Sequence, residues 1–275
     1  MNVWVKDIKE LIKHRELLLM LAWKEIRVKY KEPILGFLWA LLVPIFMTLI
    51  FMFVFTRLFK VPVRGYPFFI FLITGLFPWN LFALTFSASC MSILEGGALI
   101  KKVYFPREIV PLSIVLANVI NFLFTLVIVV LFVIIFGIKP SIYLLLLPVA
   151  FILQILLISG LALIVAGAQV LHRDVKFLVE VGLLFWFYLS PIFYPLELVI
   201  NISRNAFNLY SVNPFVGLIS LYRVSLLGNT YLNSVPKEIA LGKVILYSAI
   251  CSIAIFLIGY RYFKKRESIY IDLVK

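Results

Sequence analysis

Charge is what this sequence has least of. Asp, Glu, Lys and Arg make up 14% of its 275 residues, against 64% hydrophobic ones. A soluble globule is about a quarter charged and about half apolar, so that class is excluded. A mean hydropathy of +1.09 excludes a disordered chain as well. Cysteine and histidine are almost missing, with two of each. Cys90 and Cys251 sit inside apolar stretches and read as small buried hydrophobes, not as a disulfide or a metal site. His14 and His172 are far apart and read as solvated flanking residues. There is no G-x-x-x-x-G-K-[ST] loop to cradle phosphates, and no H-E-x-x-H, cysteine cluster or G-x-S-x-G. The chain does not read as a self-contained enzyme and needs no cofactor of its own. Asn201-Ile-Ser203 matches a glycosylation acceptor, but a tripeptide is too common to carry weight.

What is present is length without charge. A helix needs about 20 apolar residues to cross roughly 30 Å of hydrocarbon. Charge-free runs predict six spans, at about 34–56, 66–93, 108–138, 141–171, 177–196 and 240–262. The expected fold is an all-α polytopic membrane protein with one transmembrane domain over 33–262 and a tail over 263–275. Residues 197–238 are apolar, yet broken by asparagines, glycines, Pro214 and Pro236. Freed backbone at membrane depth is tolerated only where protein or a water-filled cavity satisfies it. That stretch is expected to be an outer re-entrant hairpin between the fifth and sixth spans. Residues 1–32 carry mixed charge, with Trp4, Ile8, Leu11, Ile12, Leu18 and Leu19 at helical spacing. They predict a retained amphipathic helix along the cytoplasmic interface.

Net charge is +13, which in a soluble chain would suggest nucleic acid. In a membrane protein it belongs to cytoplasmic flanks and to anionic lipid contact. Eight cations precede Pro33, three lie at Lys101, Lys102 and Arg107, two at Arg173 and Lys176, and five follow Tyr260. Only eight fall on the other side, among them Arg223. Both termini are therefore expected in the cytoplasm. Within the spans Glu180 is the one clear ionisable residue, about a turn from a cytoplasmic end. Carriers driven by protons or sodium need more intramembrane acids than that, so the energy for any transport should come from a separate subunit.

Three stretches then point to a family. They are Trp23-Lys-Glu-Ile-Arg-Val-Lys-Tyr-Lys31 running into Leu35-Gly-Phe-Leu-Trp39 and Pro44, Gly75-Leu-Phe-Pro-Trp79, and His172-Arg-Asp-Val175 followed by Ser190-Pro191-Ile-Phe-Tyr194 and Asn213-Pro214. In this order, over nearly the whole chain, they resemble the transmembrane permease of polysaccharide-exporting ABC transporters of the type-2 export family (O-antigen, capsule and teichoic-acid exporters). The resemblance implies six helices per chain, pairing as a homodimer, and two copies of an ATP-binding subunit that holds ATP and magnesium. It also implies a lipid-linked polysaccharide as cargo and a bacterial or archaeal plasma membrane as location. Loop 94–107 would be the coupling helix that docks on the ATPase. Its Lys101, Lys102, Tyr104, Phe105 and Arg107 suit a cleft in a soluble partner, and they equally suit a solvated positive-inside loop. Arg173 and Asp174 are coupling candidates by the same resemblance, while Asp174 is also placed to cap the following helix.

Aromatic spacing suggests a path. Trp39, Phe46 and Phe53 recur every seven residues, so they share a helix face with about 20° of drift per heptad. Phe185, Trp186 and Tyr188 belong to the densest aromatic cluster in the chain. Sugar rings present C–H groups that sit on aromatic faces, and such contacts let a polymer slide. Lipid contact or helix packing would use the same rings. Asn213 and Pro214 are expected at an outer gate. Six helices do not readily enclose a polymer channel, and two-fold pairing is the simplest enlargement. Small residues Gly160, Ala162, Ala166 and Gly167 allow close packing of the fourth span, within or between protomers. The leading expectation is an export permease. A drug or lipid exporter, a membrane enzyme acting on polyprenol-linked sugars, and a passive channel or scaffold stand behind it.

Overall fold

With so few charges and such long apolar runs, the backbone has to satisfy its own hydrogen bonds, and helices are the economical way to do so. The computed structural model of the protein describes residues 9–30, 38–58 and 65–273, and every regular element among them is helical. The first helices are α1 (Arg15–Tyr30) and α2 (Leu38–Phe53), the latter running on as a π-helical turn over Val54–Leu58. Next come α3 (Phe68–Glu95), the short α4 (Gly97–Lys102), α5 (Ile109–Ile135), a 3-10 turn (Ile142–Leu146) and α6 (Leu147–Leu171). The chain continues with α7 (Val175–Tyr188), α8 (Leu196–Ile202), α9 (Arg204–Tyr210), α10 (Pro214–Leu227), α11 (Asn229–Ser234), α12 (Leu241–Lys265) and α13 (Glu267–Leu273).

Four of these helices are long and apolar enough to cross a membrane: Phe68–Glu95, Ile109–Ile135, Ile142–Leu171 and Leu241–Lys265. Each lies within a few residues of an expected span. The expected first span begins outside the described residues and is seen from Leu38 to Leu58. The expected fifth span differs more. Instead of 177–196, α7 has 14 residues, roughly 21 Å of helix, and it stops at Tyr188. Pro191 disfavours helical angles at Ser190, and the side chain of Asn213 takes up the carbonyl of Leu189.

The segment 197–238 also departs from a simple pair of helices. It forms the four short helices α8 to α11, and every residue of α10 is buried. Asn213 caps α10, with its side chain accepting the Phe215 N–H at 3.0 Å, and Pro214 is the first helical residue. Gly228, at φ 55°, ends α10 in the left-handed region that favours glycine. α10 packs between α12, α3 and α6, so the broken stretch enters the middle of the bundle.

Two close approaches hold the bundle together. A Cβ on Gly160 would meet the backbone of Ile255 and Phe256 at 2.6 Å, so α6 and α12 touch backbone to backbone there. Gly167 lies instead against the side chain of Tyr270, and the two contacts place the small-residue face of α6 against the chain's own C-terminal helices. The largest core cluster joins α3, α5, α6 and α10. A second cluster gathers Ile100, Phe105, Ile109, Val170, Phe263 and Tyr270, with Leu11, Leu17, Leu18 and Leu21 packed on it. Both described terminal segments therefore meet loop 94–107 at one end of the bundle, called the terminal end below. Helix α1 is half amphipathic surface and half packed element, since Leu19, Met20 and Trp23 remain exposed.

Candidate functional site

Loop 94–107 is built as an anchored knob. α3 ends at Gly96, whose N–H bonds back to the Ser92 carbonyl at 2.9 Å, and α4 follows directly. Ile100 and Phe105 point inward, Phe105 being only 2% exposed. Lys101, Lys102 and Val103 point out, and Tyr104, next in the chain, stands 88% exposed. Adjacent aromatics thus face opposite ways: Phe105 belongs to the chain's own core, and Tyr104 is exposed. Arg107 donates from its backbone N–H and from Nη1 to Glu267 Oε1, at 3.0 and 3.3 Å.

Next to it Glu108 is fully buried, and its Oε1 accepts from Lys264 Nζ at 2.8 Å and Tyr260 Oη at 3.4 Å. Burial pushes the Glu108 carboxyl above its ordinary range, and Lys264 pulls it partly back. Lys264 also pairs with Glu267 at 3.0 Å. The loop is clamped by charge to α12 and α13, the last helices of the chain. Glu108 and Lys264 escape a sequence reading because 156 residues separate them.

Arg173 and Asp174 are exposed on the tight turn between α6 and α7. Gln169, buried in α6, shapes that turn by donating to the Arg173 carbonyl at 2.9 Å and accepting from the Lys176 N–H at 2.8 Å. Asp174 occupies the N-cap position of α7, but its side chain makes no capping bond. Its backbone is itself near-helical (φ −81°, ψ −8°), whereas a capping side chain reaches back from extended angles. The expected cap is therefore replaced by Gln169. Val170 shares its core cluster with Ile100 and Phe105, which puts this turn at the terminal end with the knob.

The ring candidates divide between surface and interior. Phe46, Phe53, Phe185 and Tyr188 are exposed. Trp186 is half-buried and donates Nε1–H to Asn213 Oδ1 at 2.9 Å. Trp39 lies in α2, with its side chain outside the described residues. The rings between these carry the packing: Phe51 stacks on Phe187 and Phe193, each with centroids 5.9 Å apart. α2 and α7 are thus joined through Phe51 and Phe187, while Trp186 packs inward on Phe82 and Phe215.

At the opposite end of the bundle Asn213 ties α7 to α10. Its Nδ2 donates to the Leu189 carbonyl at 2.8 Å and to Ser190 Oγ at 3.2 Å. Arg223 of α10, counted from the sequence as an outer flanking cation, is instead fully enclosed. Its Nη2 donates to the Ile192 carbonyl at 2.9 Å and the Phe71 carbonyl at 3.3 Å, and its guanidinium lies 3.6 Å from the Phe71 ring centroid. The break after α7 leaves the Ile192 carbonyl free to be bonded this way. A planar, weakly hydrated guanidinium tolerates such a site better than an ammonium would. Buried Gln154 similarly bonds the Pro78 carbonyl, at 2.7 Å, inside α3. Isolated polar residues in apolar runs were the available signal for both.

Residues 16–227 match the family described as ABC-2 type transporter. The chain is 31% identical over 219 residues to an O-antigen export system permease protein RfbA of Myxococcus xanthus, covering 80% of this chain and 83% of that protein. It is 32% identical over 185 residues to an O-antigen export system permease protein RfbA of Klebsiella pneumoniae, covering 67% of this chain and 71% of that one. A second Klebsiella pneumoniae protein of that name is 33% identical over the same coverage. Matched from α1 to the end of α10, across the knob, the α6–α7 turn and the Asn213 junction, this multi-pass membrane chain belongs to the ABC-2 type transporter family.

Proposed function

We propose that this chain is the membrane-spanning permease of an ATP-driven exporter that moves a lipid-linked polysaccharide across the plasma membrane, the inner one where a cell has two. The carrying observation is the similarity to O-antigen export permeases over two thirds or more of both chains, at about a third identity. In this reading the protein works as a homodimer with two copies of a separate subunit that binds ATP and magnesium and hydrolyses the ATP. Six segments per chain cross the membrane: α2 with its π turn, α3, α5, the 3-10 turn with α6, α7 completed by the chain after it, and α12. The α8–α11 region dips back from the outer side. Both termini and loop 94–107 face the cytoplasm, which fits their shared place at the terminal end.

The geometry suggests how a motor is connected. Tyr104, flanked by Lys101 and Lys102, enters a cleft in the ATP-binding subunit, while Arg173 and Asp174 contact it nearby. A push on α4 reaches α5 through Phe105 and Ile109, and reaches α12 through the Glu108–Lys264 pair. The exposed rings of α2 and α7 face the second copy across the dimer, where Phe46, Phe53, Phe185 and Tyr188 line a channel for sugar rings. Asn213 and Pro214 set the outer gate by fixing where α7 stops and α10 begins.

Removing the chain from its own cell separates the readings. An exporter's loss leaves lipid-linked polymer complete but trapped inside. No polymer at all would indicate a membrane enzyme, and unchanged surface polymer would indicate a drug or lipid exporter.

A further inference from the structure

Polar side chains in the apolar helices are few, yet several gather in one groove. Three adjoining cavities of about 50, 300 and 210 Å³ run between α1, α3 and α5. The first two share Lys29, Leu84, Asn118 and Asn121, and the last two share Glu25 and Ile114, so the cleft is continuous. We propose that this cleft is a binding site for the phosphate headgroup of an anionic phospholipid that stays with the protein as a resident ligand and is not the cargo. No residue lining the cleft belongs to α2 or α7, and the proposal is independent of the export reading.

Phosphate is recognised by a cation and convergent hydrogen-bond donors. Lys29 Nζ donates to Asn118 Oδ1 at 3.3 Å, which holds the ammonium at the cleft and leaves its other protons free. Asn118 Nδ2 is used on the Ile114 carbonyl at 3.1 Å. Asn80 and Asn121 line the same cavity, and among the described residues neither side-chain amide has a hydrogen-bond partner. A lysine and two free amides therefore converge from three helices. Amides in an otherwise apolar helix face are costly at membrane depth unless something bonds them.

Three features favour a lipid over a soluble anion. Asn118 stands roughly 13 Å along α5 from its start at the terminal end, a depth that a headgroup in the adjacent leaflet can reach. Beyond the amides, α5 exposes Val127 and Leu131, apolar positions along which an acyl chain can lie. The cytoplasmic leaflet is also the one that concentrates anionic lipid near juxtamembrane lysines. Of the acidic side chains of the cleft, Glu95 lines only the 210 Å³ cavity, whereas Glu25 also borders the 300 Å³ cavity and pairs with Lys24 at 3.4 Å. In the 50 Å³ cavity, where Asn80, Asn118 and Asn121 meet, Lys29 is the one charged residue of the lining.

The test uses the full chain in nanodiscs of mixed phosphatidylglycerol and phosphatidylcholine, followed by native mass spectrometry of retained lipid. Wild type is expected to keep phosphatidylglycerol over phosphatidylcholine, and excess inorganic phosphate should not displace it. Lys29→Met, at an exposed position, should leave the melting temperature near wild type and weaken that preference about tenfold, one charged hydrogen bond's worth. Lys29→Arg should retain it, and Asn121→Leu should weaken it. Equal retention of both lipids, a preference unchanged in Lys29→Met, or displacement by inorganic phosphate would each overturn the proposal. None of these readouts depends on export.

Discussion

Replacing Tyr104 and Phe105 singly with alanine should produce opposite defects, although the two rings are neighbours. Phe105 is 2% exposed in the cluster with Ile100, Ile109 and Tyr270, and Tyr104 is 88% exposed. Truncating a buried phenylalanine costs about 3–5 kcal/mol through lost transfer energy and the cavity left behind. For a chain of this size that lowers the unfolding temperature on the order of 10 °C. Tyr104 has almost no contact to lose, so Tyr104→Ala should leave the unfolding temperature within about 1–2 °C of wild type. If Tyr104 anchors a partner's cleft, its loss removes about 2 kcal/mol of binding, roughly thirtyfold in affinity. The assay pairs thermal unfolding of the detergent-solubilised chain with co-purification of the ATP-binding subunit and its stimulated ATPase rate. The expected pattern is a destabilised Phe105→Ala chain and a stable Tyr104→Ala chain that binds poorly and stimulates little. A Tyr104→Ala chain that co-purifies and stimulates normally would refute the docking assignment. Equal destabilisation by both substitutions would refute the inward–outward division.

Gly160→Ala should destabilise by about 1–3 kcal/mol, since the new methyl meets backbone of α12 that has no room to give; Gly182→Ala, with nothing within 4 Å, should be neutral or slightly stabilising in the same melt. Asn213→Leu removes the α10 cap and the bonds to Trp186, Leu189 and Ser190 together, so a loss of about 2 kcal/mol and reduced export per folded complex are expected. Alanine at Phe46, Phe53, Phe185 or Tyr188 should lower export normalised to folded complex, whereas Phe187→Ala should lower the folded complex itself; if all five act only on folding, the rings are packing elements. Cysteines at Asn205 and Asn229, with Cys90 and Cys251 removed, should react with an impermeant thiol reagent from outside, and labelling only from the cytoplasm would invert the topology.

The long spans were legible because they depend on one local property, the absence of charge over more than 20 residues. Phe68–Glu95, Ile109–Ile135, Ile142–Leu171 and Leu241–Lys265 fall within a few residues of where the runs placed them. The family was legible from short motifs in a fixed order, which the match over 16–227 bears out. Long-range pairing was not legible. Glu108 with Lys264, Arg107 with Glu267 and Arg223 with Ile192 join residues far apart in sequence, and no periodicity encodes them. The early end of α7 is a middle case. Pro191 is a break signal that the expected span 177–196 runs through, and the partner that satisfies the freed carbonyl at Leu189 is Asn213, which only the folded chain brings there. The placing of Tyr104 and Phe105 on opposite sides of the knob was likewise beyond a sequence pattern, because α4 ends at Lys102 and both rings lie in irregular backbone.

The most direct test of the central claim is transport by purified components. The chain is reconstituted in proteoliposomes with its ATP-binding partner and a lipid-linked polysaccharide confined to the leaflet facing the ATPase. Polymer becoming accessible to a glycosidase on the opposite side, only with ATP and only when both proteins are present, is the predicted result. ATP-driven turnover by the complete complex, with the polymer remaining on its original side, would contradict it.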